Sequence, residues 1–421
     1  MQLNNWKIQV LLAIAVGVII GCALGGLFIL FFGQAQMDFV AQKIDSLRYR
    51  VSLYLPQPVY PDYIPTPFAI PTDEPTSTIT PTPTLAPNAP ATLTPTPRPT
   101  STRAPTRTPL PTSTADVLPI QPIVALRGIK QDYQRWNNCG PTTLGMYLSY
   151  FGKTNTQTEI AAFVKPNYDD RNVRPDELAA YTAKTGLHSI IRVNGDIDLL
   201  KLILSNKLPV MTETAFEKPK QGWMGHYRLL TGYDATQFTT NDSYDGLTKI
   251  SFGDLDKEWR AFNRTYLVVY TDAQTSLVRS MIGDDWNDTV MYTNAVAQAR
   301  TEIAANAQDP FAQFNLGSSL LGLKQSKDSA AAFDRARTLG LPWRMMWYQF
   351  GPYQAYLNTG RYSEVIALAD SLLKSTDDLE ESHYYKGLAL RALGKTEQAR
   401  EEFETALKWN QNYRDAQEAL K

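Results

Sequence analysis

The sequence is short of cysteine and histidine, and it has no excess of charge of either sign. Its 421 residues, enough for two or three domains, include two cysteines, Cys22 and Cys139, and three histidines, His188, His226 and His383. The two cysteines lie in segments expected to be far apart, so no intrachain disulfide is predicted. A formal net charge of −1 gives no indication that the chain binds nucleic acid. Any histidine with a chemical role must be one of these three.

Near the N-terminus, residues 8–32 form an almost unbroken apolar run, interrupted only by Gln9. A run of this length can cross a bilayer core about 30 Å thick, so residues 1–36 are predicted to be a single-pass transmembrane anchor. The segment that ends at Cys22 resembles a lipoprotein cleavage box. However, the apolar run continues for ten residues beyond Cys22, which suits a retained anchor better.

The region after the anchor has the composition of a stalk. Residues 37–55 carry apolar side chains at alternating spacings of three and four, the pattern of an extended juxtamembrane helix or a short coiled coil. Residues 56–119 are dominated by proline and threonine, cannot bury a core, and are predicted to be a disordered linker. An SH3-type ligand is the alternative for this segment. Lys43, Arg48 and Arg50 favour a cytoplasmic C-terminal side, whereas the stalk favours an extracytoplasmic location at the cell membrane, which we predict.

Cys139 stands where a loop ends and an amphipathic helix begins. Pro141 suits the first turn of that helix, because its missing N–H would have no intrahelical partner there. A thiol at a helix N-terminus faces free N–H groups and the positive end of the helix dipole, and both favour the thiolate. The pattern therefore indicates a nucleophile, and the alternative is a small buried hydrophobic residue beside a helix cap.

Residues 120–275 have a globular composition with helices first and antiparallel strands later, which predicts an α+β domain. Helices are predicted at 159–164, 175–185, 197–204 and 254–262, and strands at 187–193, 208–214 and 265–270, with a hairpin of 226–233 and 237–242.

The predicted hairpin brings a histidine and an aspartate together. If it is centred on Asp234, position 226 pairs with position 242, and directly opposed side chains lie about 5 Å apart on one face. His226 and Asp242 would then form a hydrogen bond, and an aspartate that fixes one imidazole nitrogen leaves the other aimed at a nucleophile. Asp245 and Asp234 are the alternative candidates for the aspartate that bonds to His226.

Three stretches follow one another in this region: Q-R-W-N-N-C-G-P, then G-H-Y-R-L-L-T-G-Y-D, then N-D-S. They resemble the papain-like cysteine peptidases, and are most similar to the bacteriocin-leader-processing (double-glycine) peptidases and their stand-alone bacterial relatives. The resemblance covers residues 120–270. The closing segment 252–270 also fits. Leader-processing members are fused to an export ATPase, whereas this sequence contains no phosphate-binding loop and no multi-span region.

The resemblance implies a role for each matching residue. Cys139 would be the nucleophile, His226 the general base and acid, and Asp242 the carboxylate that orients the imidazole. Gln134 would donate to the oxyanion, although it stands five residues before the cysteine where six is usual in this family. Gln131 is therefore a competitor. No metal or other cofactor is implied.

The remaining candidates flank these residues. Trp136, Trp223 and Gly225 are assigned to the substrate groove, with packing under the catalytic loop as an equal alternative for the two tryptophans. His188 and His383 are predicted to be structural.

Residues 284–421 read as helices with an internal period. Gly317, Tyr353 and Gly387 occupy equivalent places at spacings of 36 and 34 residues, close to the 34-residue tetratricopeptide period. About three and a half repeats suffice for a stable solenoid. The second-helix positions that should be buried are Ser329, Phe333 and Ala336, then Val365, Ala369 and Leu372, then Ala399, Phe403 and Ala406, with Ala295 and Ala299 from an earlier partial repeat.

Together these features predict a membrane-anchored cysteine peptidase whose repeats recruit a protein or peptide partner. Two alternatives remain at this point. One is a catalytically idle peptidase-like protein that binds peptides or acts as a scaffold, and the other is an amidase or transpeptidase acting on cell-wall peptides.

Overall fold

The computed structural model describes residues 40, 43–45, 47, 63–67, 116–218 and 222–421. The predicted anchor, residues 1–36, lies outside these residues, as does most of the predicted linker. Residues 40, 43–45 and 47, within the predicted juxtamembrane segment, are helical. No helix in the described ranges is both long enough and apolar enough to cross a bilayer.

The described strands form one antiparallel sheet in the order β2-β7-β3-β4-β5-β6, with β1 paired to the end of β4. The strands are β1 Val124–Ala125, β2 His188–Arg192, β3 Val210–Lys218, β4 Gly222–Tyr233, β5 Gln237–Asp242, β6 Gly246–Ser251 and β7 Tyr266–Tyr270.

Helices cover both faces of this sheet. On one face lie α1 Cys139–Tyr150, α2 Gln157–Val164 and α3 Pro175–Lys184, and on the other lie α4 Ile197–Ser205, α5 Phe252–Trp259 and α6 Thr275–Ile282. Strand β7 shows why two cores form, because its side chains alternate between them. Leu267 and Val269 join the cluster under α1, while Tyr266 and Val268 join the cluster under α4. The predicted α+β class is confirmed.

The turn of the β4–β5 hairpin is wider than predicted. Tyr233 pairs with Phe238, so residues 234–237 form the turn, and the Asp234 N–H donates to the Gln237 carbonyl at 3.0 Å. The Asp234 carboxylate also accepts from the Thr236 N–H at 3.0 Å, which stabilises this turn. The predicted centre on Asp234 was therefore wrong.

A β-bulge between Leu230 and Gly232 then moves the register again. Asp242 is paired with Arg228, not with His226 as the symmetric hairpin predicted. Since 226 and 228 lie on the same face of β4, His226 becomes the diagonal neighbour of Asp242, which long side chains still reach.

The C-terminal region, residues 288–421, is a solenoid of paired helices. Helix α7 Asp288–Ala305 precedes three pairs, α8 Pro310–Gly322 with α9 Ser326–Leu339, α11 Gly351–Asn358 with α12 Tyr362–Leu373, and α13 Glu380–Ala392 with α14 Thr396–Trp409. A single turn, α10 Met345–Tyr348, lies between the first two pairs, and α15 Arg414–Ala419 closes the solenoid. Every second-helix position predicted to be buried is buried.

Part of the predicted linker packs on the solenoid. Ile64 is 2% exposed within the solenoid core, and its N–H donates to the Leu341 carbonyl at 3.0 Å. Arg337 Nε donates to the Pro65 carbonyl at 2.8 Å. Residues 63–67 are thus held in place, which a structureless linker does not predict.

The glycine of the last helix pair is required by its close packing against the second helix. A Cβ added at Gly387 would lie 2.5 Å from the Phe403 ring. We expect Gly387→Ala to lower the free energy of unfolding by about 1–3 kcal/mol, the usual cost of overpacking. Chemical denaturation measures this, and Gly253→Ala in α5, where an added Cβ meets nothing within 4 Å, is the control. Equal stability of the two variants would contradict the packing argument.

Candidate active site

Cys139 is a half-buried free thiol at the first position of α1. The chain reverses immediately before it, because Asn137 adopts the left-handed conformation with φ 51°, which asparagine tolerates better than most residues. The Asn137 side chain donates to the Asp169 carbonyl at 2.9 Å and keeps that turn in place.

Gln157, at the start of α2, holds the whole loop that leads to Cys139. Its Nε2 and Oε1 atoms together make five hydrogen bonds of 2.9–3.0 Å. Their partners are the Asp132 carboxylate, the Tyr133 carbonyl, the Arg135 N–H, the Asn138 amide and the Thr142 hydroxyl. Sequence reasoning missed Gln157, since nothing in the local pattern distinguishes it from any polar residue at a helix start.

His226 and Asp242 meet across the hairpin despite the shifted register. His226 Nε2 lies 3.0 Å from Asp242 Oδ2, and both side chains are almost fully buried. Arg228 Nη1 donates to the same Oδ2 at 2.6 Å and continues to Glu258 through two further bonds. The other oxygen, Oδ1, accepts the N–H groups of residues 244 and 245. Every acceptor position of this buried carboxylate is therefore used.

The charges at this site favour a protonated imidazole. Burial lowers the pKa of His226, but the Asp242 charge and hydrogen bond, together with Cys139, outweigh it, so the pKa is raised overall. Burial raises the pKa of Asp242, but His226 and Arg228 outweigh it and hold the carboxyl well below its ordinary range. Since Asp242 occupies Nε2, Nδ1 is the ring nitrogen left for Cys139, whose thiol is one of the groups that raise the pKa of His226. Within the described residues, Nδ1 has no hydrogen-bond partner.

Two aromatic rings fix the imidazole plane. The ring of Phe216 meets His226 edge-on at 5.2 Å between centroids, and the ring of Tyr244 lies at 5.4 Å on a tilt of 35°. Neither residue was identified from the sequence, because both reach His226 from neighbouring strands or turns whose register was not known.

The two candidate glutamines are placed differently. Gln134 Oε1 accepts from the Ser243 hydroxyl at 2.7 Å, and Nε2 makes no bond to the described part of the chain. Gln131 Nε2 donates to the Asp132 and Asp242 carbonyls, both at 2.8 Å, and its Oε1 accepts from Asn241 at 2.9 Å. Only Gln134 therefore retains side-chain donors for a ligand.

Trp223 and Gly225, which were assigned to the substrate groove, both pack against aromatic rings. Trp223 stacks with Phe262 and Phe311 at 5.7 and 6.1 Å, so its ring is a packing contact between the two halves of the protein. Gly225 lies directly beneath the ring of Tyr348.

Trp136 lies against the N-terminal part of the chain. Its backbone N–H donates to the buried Asp45 carboxylate at 3.3 Å, and Arg135 Nε lies 3.4 Å from the same oxygen. Tyr168 donates its hydroxyl hydrogen to the other Asp45 oxygen. Part of the predicted juxtamembrane helix thus contacts the loop that carries Cys139.

The other two histidines are elsewhere. His188 lies on strand β2 at the edge of the sheet and contacts Asp272 at 2.5 Å. His383 lies on α13 and contacts Glu402 at 2.6 Å. His226 is the histidine that the fold brings to Cys139.

The geometry agrees with a comparison of the sequence with protein families. Residues 123–267 match the family described as Peptidase_C39 like. The predicted resemblance to this family is confirmed, and we call residues 120–275 the C39-like domain. No curated protein matches the chain.

Solved structures match two separate parts of the chain, each about a third of its length. The peptidase domain of Streptococcus ComA, a bifunctional ABC transporter of a quorum-sensing pathway, is 16% identical with a TM-score of 0.29, and the match covers 34% of this chain and 99% of that one. A double-glycine-motif protease from the AMS/PCAT transporter, solved with its leader peptide, is 16% identical with a TM-score of 0.28, covering 36% and 99%. MamA from Desulfovibrio magneticus RS-1 is 16% identical with a TM-score of 0.26, covering 33% and 83%.

Four acids lie where the C39-like domain meets the solenoid. Asp170 and the partly buried Glu177 come from the C39-like domain, and the buried Glu380 and Glu381 come from the start of α13. Asn172 donates to Glu381 at 3.0 Å, and Asn410 donates to Glu380 at 2.9 Å. We call these four acids the interdomain acid cluster.

Burial raises the pKa of every member of this cluster. It raises that of Asp170 to about 6, of Glu381 to about 7 and of Glu177 to about 8, and that of Glu380 well above its ordinary value. Two basic groups oppose this, since Lys165 favours ionised Asp170 and Arg174 favours ionised Glu177 and Glu381. The cluster is therefore partly neutral near pH 7.

These shifts predict that the protein is less stable in alkali. A carboxyl with a raised folded-state pKa binds its proton more tightly when folded, so its contribution is complete below about pH 4 and is lost as pH rises to the folded-state value. Asp242 acts in the opposite sense, but only in acid. We expect the melting temperature of the full-length chain to fall between pH 5 and pH 9.

Glu381→Gln should make that fall shallower, because the amide keeps the Asn172 contact and does not titrate. Glu401→Gln, at an exposed position on α14, should leave the slope unchanged. A melting temperature that rises over this range, or a Glu381→Gln slope equal to that of the native chain, would count against the assignment.

Proposed function

We propose that the protein is a cysteine peptidase in which Cys139, His226 and Asp242 act together and Gln134 stabilises the oxyanion. The observation that carries this proposal is the buried His226–Asp242 pair with its second imidazole nitrogen facing a thiol at a helix N-terminus. This is the arrangement in which a base activates a nucleophile and a third group orients the base.

The proposed reaction begins with proton transfer from the Cys139 thiol to Nδ1 of His226. The thiolate sulfur attacks the scissile carbonyl carbon, and the carbonyl π electrons move to oxygen. Gln134 Nε2 and the Cys139 backbone N–H donate to that oxyanion. The C–N bond then breaks as His226 Nδ1 protonates the leaving amine.

Deacylation reverses these roles. His226 removes a proton from water, the hydroxide oxygen attacks the thioester carbon, and the C–S bond breaks to release the acid and the thiol. Asp242 stabilises the imidazolium in both halves of the reaction without taking its proton.

The domain arrangement extends the proposal. The apolar run at residues 8–32 would anchor the enzyme in the cell membrane, with the C39-like domain and the solenoid on the extracytoplasmic side. The solenoid would engage peptide or protein chains, the ligands that paired-helix repeats commonly bind on extended surfaces.

The nucleophile is tested in the Cys22→Ser background, where Cys139 is the single thiol. We expect Cys139→Ala to abolish peptide hydrolysis, a loss on the order of 10⁴-fold or more, with an unchanged circular dichroism spectrum. His226→Ala should abolish hydrolysis as well and slow the reaction of Cys139 with iodoacetamide below pH 8. Unchanged turnover in Cys139→Ala would refute the mechanism. Labelling that is slow until about pH 8.5 in the native chain would indicate an idle cysteine.

The two glutamines give a matched comparison. Gln134→Ala should lower kcat by about 10²–10³-fold, the usual cost of an oxyanion donor, without lowering the melting temperature. Gln131→Ala should instead lower stability by about 1–3 kcal/mol, because it leaves buried partners unsatisfied, and should lower kcat far less. The reverse pattern in steady-state kinetics would assign the oxyanion role to Gln131.

A further inference from the structure

Residues 63–67 lie on the solenoid at the turn that follows α9. Tyr63 forms an isolated antiparallel β-bridge with Pro342, and the Ile64 N–H donates to the Leu341 carbonyl at 3.0 Å. When a protein recognises an extended peptide in this way, main-chain hydrogen bonds hold the peptide and side-chain pockets select it. Residues 63–67 lie outside both the C39-like domain and the solenoid in sequence, so they contact the solenoid as a bound peptide does.

One side chain of this segment fills an apolar site in the solenoid. Ile64 is 2% exposed and belongs to the same buried cluster as Ala336, Leu341 and Met345. The preceding side chain, Tyr63, is 60% exposed. Burial therefore selects an apolar residue at position 64, whereas position 63 lies at the surface.

A buried arginine completes the contact. The side chain of Arg337 is 2% exposed, and its Nη1 donates to the Tyr356 hydroxyl at 2.9 Å and to Glu364 Oε1 at 2.6 Å. Its Nε donates to the Pro65 carbonyl at 2.8 Å. If the segment left, this buried N–H would lose that acceptor, which is unfavourable. The guanidinium is therefore held in a position that receives a carbonyl group from a peptide.

The same bonds explain why proline fits after Ile64. Pro65 takes part through its carbonyl, and proline has no backbone N–H that would be left unpaired. A residue that precedes proline is biased toward extended backbone, which lowers the entropy lost when the segment is ordered. We call Arg337, Leu341 and the cluster that buries Ile64 the Ile64 site. The ligand that fits it is an extended segment with a bulky aliphatic residue followed by proline.

The first helices of the solenoid already contact the C39-like domain. Asn315, in α8, donates to the Arg260 carbonyl at 2.7 Å, and Glu381, in α13, accepts from Asn172 at 3.0 Å. The Ile64 site lies elsewhere, and its occupant is held by hydrogen bonds to its backbone and by one buried side chain. So few contacts barely offset the entropy lost in ordering a short segment. The occupant can therefore exchange with another segment of the same kind.

We propose that the Ile64 site is a recognition site for protein segments in which a bulky aliphatic residue precedes proline, and that residues 63–65 are its intramolecular ligand. A partner segment of this chemistry binds by displacing them. The inference deepens the proposed role of the solenoid, on which its ligand class rests, and does not depend on peptide hydrolysis.

The tether determines how strongly residues 63–65 compete with a partner. A segment tethered to its site has an effective concentration of about 1 mM. If an isolated segment binds the empty site with a Kd of about 0.1 mM, the tethered segment weakens that binding roughly tenfold. Emptying the site should therefore strengthen the binding of an added peptide by the same factor.

The probe is a fluorescein-labelled peptide with the sequence of residues 60–68. Its binding is measured by fluorescence anisotropy on the full-length Cys139→Ala chain, the parent chain, so that hydrolysis of the probe plays no part. Ile64→Asp empties the site, because a charged side chain is not buried in an apolar cluster without a partner. We expect this variant to bind the probe on the order of tenfold more tightly than the parent chain does. A probe in which aspartate replaces the isoleucine should not bind.

Ile44→Asp is the matched control, because Ile44 also precedes both domains but is 59% exposed. This variant should bind the probe as weakly as the parent chain. If Ile64→Asp does not fold by circular dichroism, Ile64→Gly, which removes the buried side chain without adding a charge, is measured instead. The same increase in affinity is expected, and its absence counts in the same way.

Equal affinity of the parent chain and folded Ile64→Asp for the probe would overturn the Ile64 site, while the solenoid would still bind peptides elsewhere. No binding by either chain would overturn the site together with the proposed role of the solenoid. Binding of the aspartate probe as tight as that of the first probe would also overturn the site. A dimer that light scattering detects in the parent chain and not in Ile64→Asp would show that the segment binds a second copy, and would overturn the intramolecular assignment.

Discussion

The arrangement around Cys139 depends on one buried negative charge, the carboxylate of Asp242. A carboxylate that is 1% exposed is costly unless its acceptor positions are filled. Here His226, Arg228 and two backbone N–H groups of the following turn fill them. The hairpin register, the turn after β5 and the orientation of the imidazole are therefore fixed by the same requirement. Removing the carboxylate would therefore release all three at once.

The surroundings of Cys139 are assembled from parts far apart in the sequence. The loop before Cys139 is held by Gln157 and the imidazole by Asp242, while Tyr348 of the solenoid packs on Gly225, the residue before His226. Asp45, from the N-terminal part, bonds to the backbone beside Cys139. Because each contact joins different elements, the two halves of the protein behave as one unit around the thiol.

Structural features that follow a repeating or alternating sequence pattern could be predicted, whereas contacts that depend on strand register could not. The buried second-helix positions of the solenoid recur with the repeat period. The helix at Cys139 is indicated by Pro141 and by the spacing of the apolar residues after it. The pairing of Asp242 was missed because a bulge and a four-residue turn change the register by amounts that no local pattern encodes. His226 and Asp242 still meet, since a shift of two residues keeps both on one face. Gln157 and Tyr348 act through contacts between distant segments, which a single sequence does not display.

The interdomain acid cluster makes the contact between the C39-like domain and the solenoid sensitive to pH. The pKa values of Glu381 and Glu177 are raised in the folded chain, so protonation of these carboxyls favours the arrangement in which the two domains are in contact. Burial also raises the pKa of Glu213 to about 8, and the Gln349 side chain of the solenoid donates to its Oε1 at 3.3 Å. Loss of these protons as pH rises would therefore weaken the contact between the solenoid and the C39-like domain.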